Sequence, residues 1–363
     1  MKRIMIIFFL ALAVVSCEKR PLMELSNTHY VRVYVDETIK NVTCGFYNDM
    51  YARPEYDSPD VLRLVLADPQ TGEVKAERFL RNRGNDGKGL YYDGYIVADP
   101  GRYTLMAYNF DTESTIIKSY NNHRDAKAYT NEIASHLRTK IASRSKKLDQ
   151  SGTSSEQASL PERIVYDPDH LFAANCGEVI IPYVEKVDTL FNEVGEHFKA
   201  YSIVKSYYLQ VKVKGMQYAT SSVGLMTGLA GSAWMSGAGM DESDPVTVYF
   251  EMQPGETPAA GMVKSEDDDS VVTIYTTFST FGKIPDVTNE LEITFDFMTV
   301  YGESHSETLD VTEVFSEDVA IDNQWLLLNH TIEIPEPPPS TGGGGGFSPG
   351  VEDWGDVNAD ITI

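Results

Sequence analysis

The stretch Leu62-Arg63-Leu64-Val65-Leu66-Ala67-Asp68-Pro69-Gln70-Thr71-Gly72 carries the fold signal of the chain. Leucine at every second position is the two-residue period of a pleated strand, not the 3.6-residue period of a helix. The run then stops on chemistry suited to a turn: proline fixes φ, glycine accepts positive φ, and aspartate can bond its own backbone. The same grammar recurs on both sides. Val31, Val33 and Val35 alternate with Tyr30, Arg32 and Tyr34, and Tyr103, Leu105 and Ala107 interleave with Thr104, Met106 and Tyr108 after the turn Asp99-Pro100-Gly101. In the second half Tyr207 to Val213, Val246 to Met252, Val271 to Phe281, Leu291 to Val300 and Leu326 to Ile334 repeat it between Gly, Pro and Asp clusters. Each reads as a strand with one buried face. The expectation is an all-β chain with an antiparallel β-sandwich in each half.

Size and charge agree with that and narrow the function. The 363 residues hold 54 acidic and 30 basic side chains, a net charge of −24, with 42% hydrophobic and 11% aromatic content. This is enough apolar material for two folded domains of ordinary size. A charge of this sign repels phosphate backbones and anionic headgroups, which argues against a nucleic-acid partner.

The ends and the middle depart from the strand grammar. Met1, Lys2 and Arg3 precede the uncharged run Ile4 to Val15, too short to cross a bilayer as a helix. Val14-Val15-Ser16-Cys17 follows, the pattern of a bacterial lipobox, so residues 1–16 read as a lipoprotein signal peptide and Cys17 as the lipidation site. An acylated cysteine carries more than one chain, the condition for stable anchoring, and the outer-membrane lipid would be the tether. Residues 17–120 read as the N-terminal sandwich. Residues 121–176 read as a basic connector and Ser-rich linker, in which Ala126, Tyr129, Ile133, His136, Leu137 and Ile141 fall near helical spacing. From Lys118 to Lys147 eight basic residues face two acidic ones, a local +6, read as a solvated connector helix or as a docking surface for an acidic partner or the lipid surface. Residues 177–335 read as the C-terminal sandwich. Residues 336–363 read as a Pro/Gly tether ending in a strand with Trp354, Val357, Ile361 and Ile363 as a strand-exchange segment, either donated to a neighbouring subunit or folded back. Gly215 to Met240 is uncharged and holds Gly224 and Gly228 at helix-dimer spacing, but its Gly, Ser, Thr and Ala content suits packed strand and turn rather than a membrane span.

No catalytic constellation emerges, and the chain reads as a non-enzyme without a cofactor. Gly84 to Gly89 has glycines too closely spaced for a phosphate loop and reads as a hairpin. Asp167-Pro168-Asp169-His170 could offer hard and nitrogen ligands, without a second cluster nearby, and Asp267-Asp268-Asp269 reads as a solvated turn. Cys44 and Cys176 could pair in an oxidising compartment or remain buried thiols. Tyr91, Tyr92 and Tyr95 are the residues for an alternative role, a surface lipoprotein that binds glycan or a host protein.

Several segments resemble a known family. Arg20-Pro21-Leu22, Val31-Arg32-Val33-Tyr34-Val35-Asp36, Pro100-Gly101-Arg102-Tyr103-Thr104-Leu105 and above all Tyr108-Asn109-Phe110-Asp111-Thr112-Glu113 are similar to Bacteroidales lipoproteins related to fimbrillin-anchoring, minor-fimbrium subunits. Gly228-Leu229-Ala230-Gly231, Thr280-Phe281-Gly282 and Val351-Glu352-Asp353-Trp354 agree in outline. The resemblance implies two tandem transthyretin-like sandwiches, a lipid-anchored outer-membrane location facing the periplasm or the surface, and a role as anchor or accessory subunit of a type V pilus. Fimbrial subunits would be the partners, through β-strand addition. It also implies O-glycan acceptors at Thr189 and Ser270, within Asp188-Thr189-Leu190 and Asp269-Ser270-Val271.

Overall fold

The structure, a computed structural model, describes residues 26–36, 58–110, 112–137, 163–189, 198–237, 239–252, 261–264, 270–285 and 291–337. The segment expected as signal peptide (1–16), the expected tether from residue 338 onward, Cys17, Cys44, the acidic run 267–269, and Trp354, Val357, Ile361 and Ile363 lie outside the described residues.

The N-terminal half supplies β1 (Thr28–Asp36), β2 (Leu62–Ala67), β3 (Val74–Leu80), β4 (Asn82–Asp86), β5 (Gly89–Val97) and β6 (Gly101–Asn109). The middle supplies β7 (Thr115–Lys118), β8 (Lys127–Thr130), β9 (Arg163–Tyr166), β10 (Phe172–Ile181), β11 (Asp188–Thr189) and β12 (Lys199–Ser202). The C-terminal half supplies β13 (Lys205–Lys214), β14 (Ala219–Ala230), β15 (Ser232–Trp234), β16 (Gly239–Met240) and β17 (Pro245–Glu251). It continues with β18 (Gly261–Lys264), β19 (Val271–Thr280), β20 (Glu292–Thr299), β21 (Ser304–Asp310) and β22 (Trp325–Glu333). The chain is all-β, as the period-two pattern requires, and the GxxxG-spaced stretch is strand β14.

Nine strands make the first body, in the order β3-β2-β6-β10-β12-β1-β5-β4 with β11 beside β1. This sheet folds over on itself. Only Arg81 separates β3 from β4. At the other bend, β10 meets β12 through just two residue pairs, Phe172 with Ser202 and Ala173 with Tyr201. Val31, Val33, Leu62, Leu64, Tyr92, Leu105 and Phe198 fill the space enclosed. The second body stacks β18-β19-β13-β22 on β21-β20-β14-β17-β9. Its core holds Leu209, Met226, Phe250, Phe278, Phe295, Phe297 and Ile332, each side chain worth about 1.5–3 kcal/mol on full burial. Most pairs are antiparallel, but β1 with β11, β1 with β12, β13 with β22 and β17 with β9 are parallel, so the nine-stranded body and the two sheets of the second body are mixed.

Sheet membership does not follow chain order. Strands β10 and β12 hydrogen bond into the first body although residues 177–335 were expected to form the second, and β9, expected in the connector, joins the second. A third, four-stranded sheet, β16-β15-β8-β7, takes one hairpin from each half. Here the helix expected from residue 121 onward gives way: residues 127–130 are strand, Ser135–Leu137 are helical, and 138–162 lie outside the described residues. The reason is tertiary. Ala126 and Ala128 are buried between the bodies while Lys127 and Tyr129 point to the other face, and only an extended backbone separates them so. Strand β2 also differs from expectation. Every residue of it is buried, because Leu62, Leu64 and Leu66 face the first core while Val65 and Ala67 face the shared layer beneath the bridging sheet.

One glycine in the second core has no room for a side chain. A Cβ at Gly224 would come within 2.2 Å of the Phe250 ring. That ring stacks on Phe278 at 4.9 Å, and Phe278 stacks on Tyr207 at 5.6 Å, so the column cannot give way cheaply. Gly224→Ala is expected to cost about 1–3 kcal/mol in chemical unfolding, while the open Gly87→Ala stays near wild type.

Candidate assembly interface

The joint between the bodies carries several buried and half-buried ion pairs and hydrogen bonds. Lys127 on β8 ion-pairs with Asp241 in the β16–β17 connection, and its ammonium lies 4.5 Å from the Trp234 ring and 5.1 Å from that of Tyr129. Lys127, helped by Ser243, holds the Asp241 carboxyl down to about 2. Arg163 on β9 reaches Asp244 at 2.6 Å, and Ser232 donates to the same carboxylate at 2.7 Å. Charges tied this way offset their desolvation only while both partners remain. Three of the eight basic residues of the +6 segment are thus engaged: Lys127 here, Lys118 over the Tyr129 ring at 4.5 Å, and Arg124 on the Pro69 carbonyl. Lys127 is thereby buried, whereas Lys118 and Arg124 stay at the surface.

The Asp167-Pro168-Asp169-His170 turn serves the joint rather than a metal. Its side chains diverge to three partners. Asp169 accepts hydrogen bonds from the amides of Glu113, Ser114 and Thr115 at the start of β7. His170 bridges the bodies, with Nδ1 2.8 Å from Ser202 Oγ on β12 and Nε2 3.0 Å from Ser206 Oγ on β13; Ser206 Oγ lies 2.9 Å from Ser279 Oγ. Asp167 accepts from the Ser279 amide. Burial pushes Asp167 up to about 6 and His170 down to about 4. No group of three metal-ligating side chains occurs among the described residues.

The outer face of β1, β5 and β4 carries a bonded plate that the alternation alone did not reveal. Tyr91 lies over Gly84, which has no side chain to obstruct it, and the Arg32 guanidinium stacks on Tyr91 at 3.8 Å. Arg32 donates to Asp86 at 3.1 Å and to the Tyr30 hydroxyl at 3.1 Å, and Tyr30 donates to Asp93 at 2.5 Å. Cross-strand register pairs Tyr30 with Tyr95 and Arg32 with Asp93, so the network follows from pleat and pairing. Of the three tyrosines expected to meet a ligand, Tyr92 is in the core, Tyr91 is committed to the plate, and Tyr95 alone is largely exposed. The Gly84–Gly89 stretch is the β4–β5 hairpin, as its glycine spacing implies.

Sheet edges decide where strand addition could occur. β3 presents Lys75, Glu77 and Arg78, β21 is mostly polar, and β22 is bulged opposite Gln210 and Lys212. β7, β9, β16 and β18 have four residues or fewer. Charged, short and bulged edges discourage pairing, and no edge among the described strands is long, flat and apolar. Of the expected modification sites, Thr189 pairs by backbone with Tyr30 and Ser270 sits in the turn before β19 with its carbonyl accepting from the Gly215 amide at 3.3 Å. Cys176 keeps a free thiol, which burial pushes up to about 12.

The buried Asp167 and His170 set a pH dependence with opposite signs. His170, depressed from 6.5 to about 4, gives stability present above pH 6.5 and lost as pH falls toward 4. Asp167, raised from 3.8 to about 6, gives stability present below pH 3.8 and lost as pH rises through 6. Between roughly pH 4 and 6 unfolding takes up a proton at one and releases one at the other, so the two slopes cancel. His170→Gln removes one side of this balance. Its cost relative to wild type is expected to shrink by about 1.4 kcal/mol per pH unit as pH falls from 6.5 toward 4, read from urea titrations at several pH values.

Relatives agree with the fimbrial resemblance. A Bacteroides ovatus protein provisionally named fimbrium anchoring subunit Fim4B is 26% identical over 315 residues, covering 82% of this chain and 83% of its own. Among solved structures, a provisionally named adhesin from Bacteroides ovatus aligns with a TM-score of 0.50 at 19% identity, over 89% of this chain and 98% of its own. The fimbrial anchor protein Mfa2 from Porphyromonas gingivalis aligns with a TM-score of 0.42 at 12% identity, over 80% and 86%. The family described as a domain of unknown function, DUF5119, matches residues 49–251, more than half of the chain and strands of both bodies and the bridging sheet, and the chain belongs to that family.

Proposed function

We propose that this chain is a lipid-anchored subunit of the cell envelope that holds a fimbrium to the outer membrane, with fimbrial subunits as its partners. The observation that carries the reading is the placement of the two chain ends. β1 starts at the end of the first body remote from the crossover at Ile203 and Val204, since β10 and β12 meet at Phe172 and Ser202 while Thr28 pairs with Val97 at the other end. β13 runs from that crossover outward to Lys214, and β22 runs parallel to it, ending with the Ile334 amide on the Lys214 carbonyl. One chain end therefore emerges at each far pole. An anchor needs that geometry: a lipid on Cys17 at one pole, and a segment for the fibre at the other. The name of the Bacteroides ovatus relative supports the same role.

Strand addition is the mode of assembly in this reading. Since the described edges are guarded, this chain gives a strand rather than receiving one, and the strand is the alternating segment Trp354, Val357, Ile361 and Ile363 beyond the glycine run. Each body forms its own layered core, and the crossover at Ile203–Val204 is one of the connections between them. Thr189 and Ser270 are the O-glycan acceptors of this reading.

Two measurements test it. Cys17→Ala should move the protein from the membrane to the soluble fraction of cells; retention in the membrane would end the anchoring reading. Deletion of residues 342–363 should abolish co-purification with fimbrial subunits while leaving thermal unfolding of the two bodies unchanged; undiminished capture would rule out donation of the strand.

A further inference from the structure

The pole at which the chain enters is held by three loops. The Asn27 amide donates to the Val184 carbonyl at 2.8 Å, and the Ala98 amide donates to the Asn27 carbonyl at 3.1 Å. Register brings the β5–β6 turn Ala98-Asp99-Pro100-Gly101 and the loop after β10 to the same end. Around this end stand apolar side chains that face solvent: Val97 (54% exposed), Ile180 (62%), Tyr183 (65%) and Val187 (41%). Soluble surfaces scatter such residues singly, whereas these four come from β5, β10 and one loop and share a pole. Ion pairing offsets part of the local charge: Arg102 lies 3.9 Å from Glu178 and Lys186 adjoins Glu185, which leaves Asp99, Asp188 beside His29, and Asp68 near Tyr103.

The tether fixes what can reach this pole. From residue 17 to Ser26 the chain makes nine steps, which span at most roughly 30 Å when extended. We propose that this pole rests in the interfacial layer of the membrane, with Val97, Ile180, Tyr183 and Val187 at the headgroup–acyl boundary. The inference rests on the reading of Cys17 as acylated. A tyrosine ring with an apolar body and a polar tip suits that layer, and aliphatic side chains gain by leaving water. Seated this way, the molecule points its other pole, where the described chain ends at Pro337, away from the bilayer. A flexible leash alone would leave that direction undefined.

The test uses the full chain with its own lipid, reconstituted into phosphatidylcholine vesicles. Mass spectrometry of Cys17 comes first; an unmodified cysteine defeats the anchoring reading itself and this inference with it. With acylation verified, Tyr183→Cys and Tyr301→Cys are each labelled with an environment-sensitive nitrobenzoxadiazole dye in a Cys44→Ser background. The Cys176 thiol, pushed up to about 12 by burial, stays unreactive at neutral pH. Tyr301 reports the far pole, where its hydroxyl donates to the Pro335 carbonyl at 3.2 Å. The expected result is blue-shifted emission, quenched by nitroxide-bearing lipids, at position 183 and water-like emission at position 301. Water-like emission at position 183 from the acylated protein would overturn the inference. So would a blue shift that nitroxide lipids do not quench, which would place protein rather than lipid against the pole.

Discussion

Leu62, Leu64 and Leu66 face one core while Arg63, Val65 and Ala67 face another layer, so strand β2 belongs to two packing units at once. A two-sided strand cannot slip by one residue, because either face would then carry the wrong side chains. Its pinned register propagates to β6, where Leu105 and Ala107 face inward and Met106 and Tyr108 outward. That outer layer is where the bridging sheet and the loops at Ala230 and Phe281 settle. The joint between the bodies is therefore an extension of the first body's packing rather than a hinge added to it.

Polar groups make the joint specific. Arg63, 2% exposed, donates to Glu77, to the Tyr108 hydroxyl and to the Tyr120 carbonyl, and lies 5.0 Å from the Tyr120 ring. His170 ties β12 to β13, and Lys127 ties β8 to the loop carrying Asp241. Each such group is costly if displaced from its partner, whereas apolar contacts tolerate sliding. An apolar layer supplies the adhesion, and the buried ions fix one angle between the bodies.

Much of this was legible beforehand. Alternation located five of the strands of the second half and three of the first, and Asp68-Pro69-Gln70-Thr71-Gly72 forms the turn its residues imply, with Asp68 accepting from the Gln70 and Thr71 amides and Gly72 at φ 79°. The 121–150 segment misled because Ala126, Tyr129 and Ile133 satisfy helical spacing as well as the short strand Lys127–Thr130; four residues are too few for periodicity to discriminate. The tyrosines illustrate the other limit. Tyr91, Tyr92 and Tyr95 sit within five residues, yet one is in the core, one is locked to Arg32 and one faces water. Neighbours on β1 and β4, distant in sequence, decide between those fates.

Composition and short-range pattern determined the all-β class, the turns, the acidic exterior and the expectation of a lipid anchor, because each depends on residues within a few positions of one another. Only the tertiary structure decided which strands share a sheet. The parallel pairs β1 with β11 and β12, β13 with β22 and β17 with β9 join segments far apart in the chain, and no local signal encodes such a partner. It alone also set the first and last described segments, the β1 start and the β22 end, at opposite poles and gathered Val97, Ile180, Tyr183 and Val187 at one of them. Strand direction and register act over the whole length of a sheet, and what they bring together lies beyond the reach of a sequence window.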